Sequence, residues 1–363
     1  MRDDAFRWHR TVAIAFAILF VIVAVWTCLI IAFQGKAGDF LSYWAAAKLA
    51  VEGQPALAYD LDAHRAVELA AAPVEGLLPF AYPPPVLLLI APLGLLTYPA
   101  AFALWLALSV GLFLLASREV APAIYRLAHP QALGNALIGQ NGFLTSAIFI
   151  AGTAALERRP VLGGAILGLL AMKPQLALLI PIALVADRQW RAIAGGVISA
   201  GVLALAALVV LGGGVYRGFL EMLPLFTGAM SGSRWPWNEL ASSFAFLRHL
   251  GVPQQAALAV HGAVAIAAAA LTWRAWRARW EQRIPVLAAA TLLVPPYLFT
   301  YDALLMIVPM GWFIAREKGP ILVALMWLFC MLPIATYFHA YPGPNTIPLA
   351  AGLALWALAR EPR

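Results

Sequence analysis

A single carboxylate stands just beyond the first apolar run of this 363-residue chain, in Gly38-Asp39-Phe40-Leu41-Ser42-Tyr43-Trp44. A carboxylate works as a general base only within hydrogen-bond reach of the hydroxyl it deprotonates, and Asp39 lies where a membrane-borne hydroxyl could arrive. Aspartate is also a favoured helix N-cap, so the local sequence leaves capping and catalysis both open. Lys173, in Met172-Lys173-Pro174-Gln175, interrupts another apolar run. An ammonium there costs about 2.5–3.5 kcal/mol on insertion scales, so it should face a cavity or an anion unless it snorkels from a short helix.

Other side chains could complete a site. Gln140 and Asn141, at the end of a further span, can hydrogen-bond a ligand or cap a helix. Arg234, Trp235, Trp237, Asn238 and Glu239 crowd one loop. Aromatic faces beside hydrogen-bonding groups suit a sugar ring, although interfacial tryptophan also forms the membrane belt. Tyr301 and Asp302 follow the Pro295-Pro296 break, where Asp302 either lines a cavity or caps the next helix. Arg248 and His339 fall on the same side. The six histidines never pair at helical spacing and the two cysteines form no CxxC, so no metal or other cofactor is expected. No P-loop, dinucleotide fingerprint or nucleophile elbow is present.

The elements that must position these residues are membrane helices. Sixty-three per cent of the chain is hydrophobic and 11% charged, against about 25% charged in a soluble domain. The mean hydropathy is +0.84. The formal charge of +7 comes from short basic clusters between apolar runs, as in cytoplasmic loops, so nucleic-acid binding is not expected. The fold class expected is an all-α polytopic transmembrane bundle forming one domain, 1–363. Membrane lipids are its surroundings. Candidate spans are 11–33, 82–97, 100–117, 135–156, 161–173, 175–187, 190–211, 253–273, 284–297, 302–315, 320–338 and 345–359, about twelve helices. The first is too long for a signal-peptide core and reads as a retained helix. Alternation then places both termini and the clusters at Arg158, Arg188, Arg274 to Arg283, Arg316 and Arg360 in the cytoplasm, and a net acidic loop, 34–81, outside. The stretch from Asp39 to about Val51 is expected as an amphipathic surface helix. The segment 211–252 reads as a long outer loop.

Several spans are too short, since about 20 residues are needed to cross ~30 Å of hydrocarbon. The runs 161–173 and 175–187 meet at Lys173-Pro174, and prolines break Tyr82-Pro83-Pro84-Pro85 and Pro295-Pro296-Tyr297. Irregular backbone at membrane depth survives only where protein or a water-filled cavity covers it. An externally open cavity is therefore expected.

The order Gly38-Asp39-Phe40-x-x-Tyr43, Tyr82-Pro83-Pro84, Gly139-Gln140-Asn141, Met172-Lys173-Pro174-Gln175 and Pro296-Tyr297-x-x-x-Tyr301-Asp302 resembles glycosyltransferase family 87, over residues 36 to 315. The resemblance implies a GT-C-like fold and an enzyme of the cell (inner) membrane with its active site on the periplasmic or external side. It implies transfer of a mannose-like hexose from a polyprenyl-phosphate sugar donor to a lipid or glycan acceptor, with inversion. Asp39 would be the general base. Lys173, Arg234 and Arg248 would hold the donor phosphate. Tyr43, Tyr82, Gln140, Asn141, Trp237, Asn238, Tyr301, Asp302 and His339 would surround the substrates. The stretch Asn238-Glu239-x-x-Ser242-Ser243 matches only loosely an Asn-x-Ser region common in relatives, which leaves sugar and acceptor open. A lipid or glycan transporter is the rival reading, because broken helices and charge at membrane depth suit alternating access too. A transporter does not need the acidic group at Asp39, and a non-catalytic scaffold would not account for the cost of Lys173.

Overall fold

The computed structural model describes residues 2–35, 38–74, 76, 78–231, 237–338 and 340–362. They form α-helices α1 (Arg2–Gln34), α2 (Phe40–Val51), α3 (Leu61–Ala71), α4 (Pro84–Ile90), α5 (Tyr98–Ala116), α6 (Ala123–Leu127), α7 (Pro130–Ile138), α8 (Gly142–Ala155) and α9 (Pro160–Gly168). The chain continues with α10 (Leu179–Ala186), α11 (Trp190–Leu211), α12 (Gly214–Ser231), α13 (Ser243–His249), α14 (Gln254–Arg277), α15 (Arg283–Thr291), α16 (Ile307–Ala315), α17 (Pro320–Met331) and α18 (Ile347–Arg360). Short 3₁₀ turns link several of them. Among the described residues, β-pairing is limited to one antiparallel bridge, Leu240 with Phe299. The all-α expectation holds.

Length and composition support a crossing for four of the twelve or so spans expected. Four helical stretches are long and apolar enough to cross: His9–Gln34, Tyr98–Ala116, Trp190–Leu211 and Gln254–Arg277. Their large apolar side chains, such as Val25 at 54% and Val209 at 75% exposure, face outward. That is sensible only if the surrounding solvent is lipid. The other apolar helices run 10–17 residues, and the expected spans 135–156 and 284–297 shrink to α7 with α8 and to the nine-residue α15. Proline and glycine set these breaks. Gly139 closes α7 in the left-handed region at φ 73°, while Pro174 follows Lys173 between two 3₁₀ turns.

Two further differences concern amphipathicity. The helix after Asp39 does not lie half-exposed on a surface. Nine of its twelve residues are buried, because α3, α4, α5 and the turn Pro55–Tyr59 enclose it. Apolar residues all round, from Phe40 to Leu49, make it a core helix. The half-buried helices are instead α3, which buries His64 and Glu68, and α12, which occupies much of the segment expected to be loop.

Charged residues gather at one end of the bundle. Asp187 pairs with Arg279 at 2.5 Å and Glu361 with Lys318 at 2.5 Å, and Glu157–Arg283 and Glu281–Arg316 join the same rim. These bridges bring together the ends of α8, α10, α14, α16 and α18, the loops that alternation assigns to one side. Gly164 lets α9 press onto α11, since an added Cβ would stand 1.8 Å from the Ala192 carbonyl. Gly168, one turn on, does the same, an added Cβ there standing 2.4 Å from the Gly196 carbonyl, so the two helices pack closely within the chain.

Candidate functional site

The site starts at Asp39, at the head of α2. Its backbone is already helical (φ −56°, ψ −25°) and its side chain makes no cap bond. The carboxylate instead accepts a hydrogen bond from Gln140 Nε2 at 2.9 Å. Gln140 reaches it because the left-handed Gly139 turns the chain between α7 and α8. An added Cβ there would meet Phe40 Cβ at 2.5 Å, so no larger residue fits. Trp105 on α5 locks the same turn by donating from Nε1 to the Gly139 carbonyl, 2.9 Å.

From Gln140 the hydrogen bonds run inward in one direction. Its Oε1 accepts from the Tyr43 hydroxyl at 2.8 Å and from Tyr82 at 3.2 Å. The Tyr43 oxygen accepts from Asn141 Nδ2 at 3.0 Å, and Asn141 Oδ1 accepts from Lys173 Nζ at 3.1 Å. Lys173 also donates to Asp302 Oδ1 at 2.5 Å. The Tyr301 hydroxyl lies 3.4 Å from that of Tyr82, and the Tyr301 ring sits 4.3 Å under the ammonium. The orientation of both amides follows from chemistry. Asp39 only accepts and Lys173 only donates, so Gln140 must turn its NH₂ to the former and Asn141 its oxygen to the latter.

Eight residues expected at the site therefore meet in one network: Asp39, Tyr43, Tyr82, Gln140, Asn141, Lys173, Tyr301 and Asp302. Its inner end is closed, with Lys173 2% and Asp302 1% exposed. Asp39 and Tyr82 keep partial exposure, so solvent and ligands reach the network from their end. Protein nevertheless crowds the Asp39 carboxyl. Burial pushes its pKa above the usual carboxylate value, and the Gln140 hydrogen bond acts in the opposite sense.

Lys173 faces an anion, one of the two surroundings expected of an ammonium in an apolar run, and that anion is Asp302. Its ammonium is already engaged by Asp302, Asn141 and Tyr301, and a phosphate oxygen would have to displace one of them. Asp302 takes the capping role its position allowed, Oδ2 accepting from the Phe299 N–H at 3.3 Å, and adds the ion pair with Lys173. Arg248 is turned elsewhere, donating to the Val252 carbonyl at 2.9 Å with its guanidinium 5.5 Å over the Trp237 ring. Trp237 is 8% exposed and packs edge-on against Phe244, so its ring belongs to a small core. It is not an open sugar platform. Asn238 contributes its carbonyl, which accepts from Asn345 Nδ2 at 3.1 Å. Arg234, Trp235 and His339 lie outside the described residues.

Three residues that sequence reasoning did not assign also shape the site. Asn135 bridges from α7, donating to the Tyr301 carbonyl at 3.0 Å and accepting from the Gly142 N–H at 2.8 Å. Asn345 donates to Thr300 Oγ1 at 2.7 Å, and Thr300 donates to the Glu239 carbonyl at 2.9 Å. These bonds tie the loop carrying Glu239 to the segment that leads into Tyr301. Glu239 itself reaches solvent, yet its carboxyl is pushed up, first by desolvation and then by the Asp39 charge. It is a second carboxylate near the open end. An asparagine in an apolar run was the signal available for Asn135.

Comparison with known families decides the class. The model of glycosyltransferase family 87 matches residues 80–300, more than half of the chain. This chain belongs to that family. It is therefore a membrane glycosyltransferase, and the network lies in a family 87 enzyme. The match contains Tyr82, Gln140, Asn141 and Lys173. It is narrower than the stretch 36–315 expected from the motifs, and Asp39, Tyr43, Tyr301 and Asp302 join the site through geometry alone. No curated protein and no solved structure matches the chain.

Proposed function

We propose that this family 87 enzyme transfers a mannose-like hexose from a polyprenyl-phosphate sugar to a lipid or glycan acceptor on the non-cytoplasmic face of the inner membrane. In this reading residues 1–363 form one membrane domain with both termini in the cytoplasm. The basic rim marks the cytoplasmic end and the Asp39 network the opposite one. Asp39 is the general base. It takes the proton from the acceptor hydroxyl while that oxygen attacks the anomeric carbon. The carbon–oxygen bond to phosphate breaks, polyprenyl phosphate leaves, and the anomeric configuration inverts. Gln140 holds the carboxylate, and Tyr43 and Tyr82 hold Gln140. Lys173 with Asp302 anchors the far end of the chain of bonds and acts on Asp39 through it.

One observation carries the role of Asp39. Its carboxylate ignores the helix end it could cap and is fixed by Gln140 at the exposed end of a buried polar network. A base within hydrogen-bond reach of an arriving hydroxyl requires that placement. The test is reconstitution of the purified protein with radiolabelled polyprenyl-phosphate mannose and a membrane-lipid acceptor extract. Wild type should form labelled product that Asp39→Asn does not. Full activity in that variant removes Asp39 as base. Movement of intact donor across the vesicle without transfer would favour the transporter.

A further inference from the structure

A second cleft opens beside the network, between the segment 56–62 and α12. Its volume is about 590 Å³, within the ~300–1,000 Å³ typical of small-ligand sites. Asp60, Asp62, Arg217 and Glu221 line it, with Tyr59 and Met222 among the residues below them. It is built by close packing: an added Cβ at Gly218 would come 3.0 Å from Tyr59 Cβ, so α12 seats directly on Tyr59. Tyr59 is 5% exposed and forms the wall shared with the active centre. Its hydroxyl donates to the Tyr82 carbonyl at 3.0 Å, and the Tyr82 hydroxyl in turn reaches Gln140. Phe80 fills the rest of the partition, 5.6 Å from both the Tyr59 and Tyr82 rings.

We propose that this cleft holds a neutral, polyhydroxylated part of the acceptor head group, a sugar or related polyol, while the hydroxyl that reacts reaches Asp39 past the Tyr59–Tyr82 wall. The inference rests on the glycosyl-transfer reading above. Asp60 caps α3, its Oδ1 accepting from the Asp62 and Ala63 N–H groups. With Asp62 and Glu221 it still sets three carboxylates against one guanidinium, a negative field that repels the phosphate of the donor. Carboxylates accept hydrogen bonds from hydroxyls, and Arg217 supplies donors on the same wall. Leu220 and Leu223 are exposed on α12, whereas Leu225 lines the cleft. An apolar stripe beside charged Arg217 and Glu221 lets α12 lie in the membrane surface, where the tail of a lipid acceptor stays in hydrocarbon while its head enters the cleft.

The test uses the full-length protein in detergent and the methyl glycosides of mannose, glucose and galactose, read by saturation-transfer NMR. At least one should bind wild type, and Asp62→Asn/Glu221→Gln and Arg217→Met should each weaken that binding about tenfold or more. Inorganic phosphate should not compete. Gel filtration verifies that each variant folds, and Arg217→Lys, which keeps the charge, should retain part of the binding. In transfer assays with octyl di- and trisaccharides of the matching sugar, long enough to span the wall, the variants should raise acceptor KM about tenfold and leave donor KM within about twofold. The cleft is overturned if none of the glycosides binds, if binding is indifferent to these substitutions, or if phosphate competes. Because NMR needs no turnover, those results stand even where Asp39→Asn retains transfer and the catalytic reading fails.

Discussion

The two ends of this bundle use charge in opposite ways. At the rim formed by the ends of α8, α10, α14, α16 and α18, pairs such as Arg316–Glu281 sit at the surface, their side chains 32% and 70% exposed. At the other end Lys173 and Asp302 meet at 2% and 0% side-chain exposure. Exposed pairs contribute about 0–1 kcal/mol each and weaken in salt. Burying an ion pair costs several kcal/mol per ion in desolvation, and the pair's attraction offsets this only where further hydrogen bonds complete it. Asn141, Tyr301 and the Phe299 N–H supply that completion here. A fold does not need such an arrangement for stability. Its retention fits a site in which side chains must be held in one orientation.

Substitutions can break or sharpen this contrast. The largest expected effect is catalytic: Asp39→Asn should lower transfer by about 10²–10⁴-fold with little change in thermal stability, since removing a general base costs roughly that much. Activity retained above a tenth of wild type would contradict it. Next, Lys173→Met leaves Asp302 buried without its partner and should destabilise the protein by about 3–5 kcal/mol. Thermal unfolding in detergent should show much of the loss recovered in Lys173→Met/Asp302→Leu, and no recovery would mean that the ion pair is not the source. A smaller effect concerns pH. Burial raises the Asp39 pKa, so activity should fall on the acid side above the ordinary carboxylate range as the base becomes protonated. Gln140 lowers that pKa through its hydrogen bond, so Gln140→Leu should move the acid limb further up. An unmoved or lowered limb refutes the link. At the rim, Glu281→Ala should cost only about 0–1 kcal/mol and change neither KM nor kcat. A loss as large as that at Lys173 would erase the distinction between the two ends.

Much of the site was legible because it breaks the apolar pattern. Asp39, Gln140, Asn141, Lys173, Tyr301 and Asp302 are polar residues at or near runs whose composition otherwise demands lipid, and their cost marks them. The helical class was legible for the same reason. Asn135 and Asn345 carry the same signal, but their partners are the Tyr301 carbonyl, the Gly142 N–H and Thr300. Such contacts between distant segments have no local sequence pattern. The character of α2 was misread because a short run of alanine and aromatic residues suits either an interface or a core, and only its neighbours decide. The same limit applied to Trp237 and Arg248, whose types suit ligand binding but whose faces are spent on each other and on Phe244.

Sequence alone determined the solvent. With so much apolar surface and so few charges, the long helices must lie in lipid, and any buried polar group must be satisfied inside the protein. It also determined which groups were available for chemistry. Tertiary structure decided how they are used. Along the chain Asp39 read first as a helix cap and second as a base, and Lys173 read either as facing a cavity or an anion or as snorkelling from a short helix. The packed fold shows Asp39 without a cap bond, because the turn at Gly139 brings Gln140 to it, and shows Lys173 facing an anion, because the 3₁₀ turn Thr300–Met306 brings Asp302 to it. The physical reason is range: capping and periodicity act within a few residues, whereas hydrogen bonds such as Lys173–Asp302, 129 residues apart, exist only once the helices have packed.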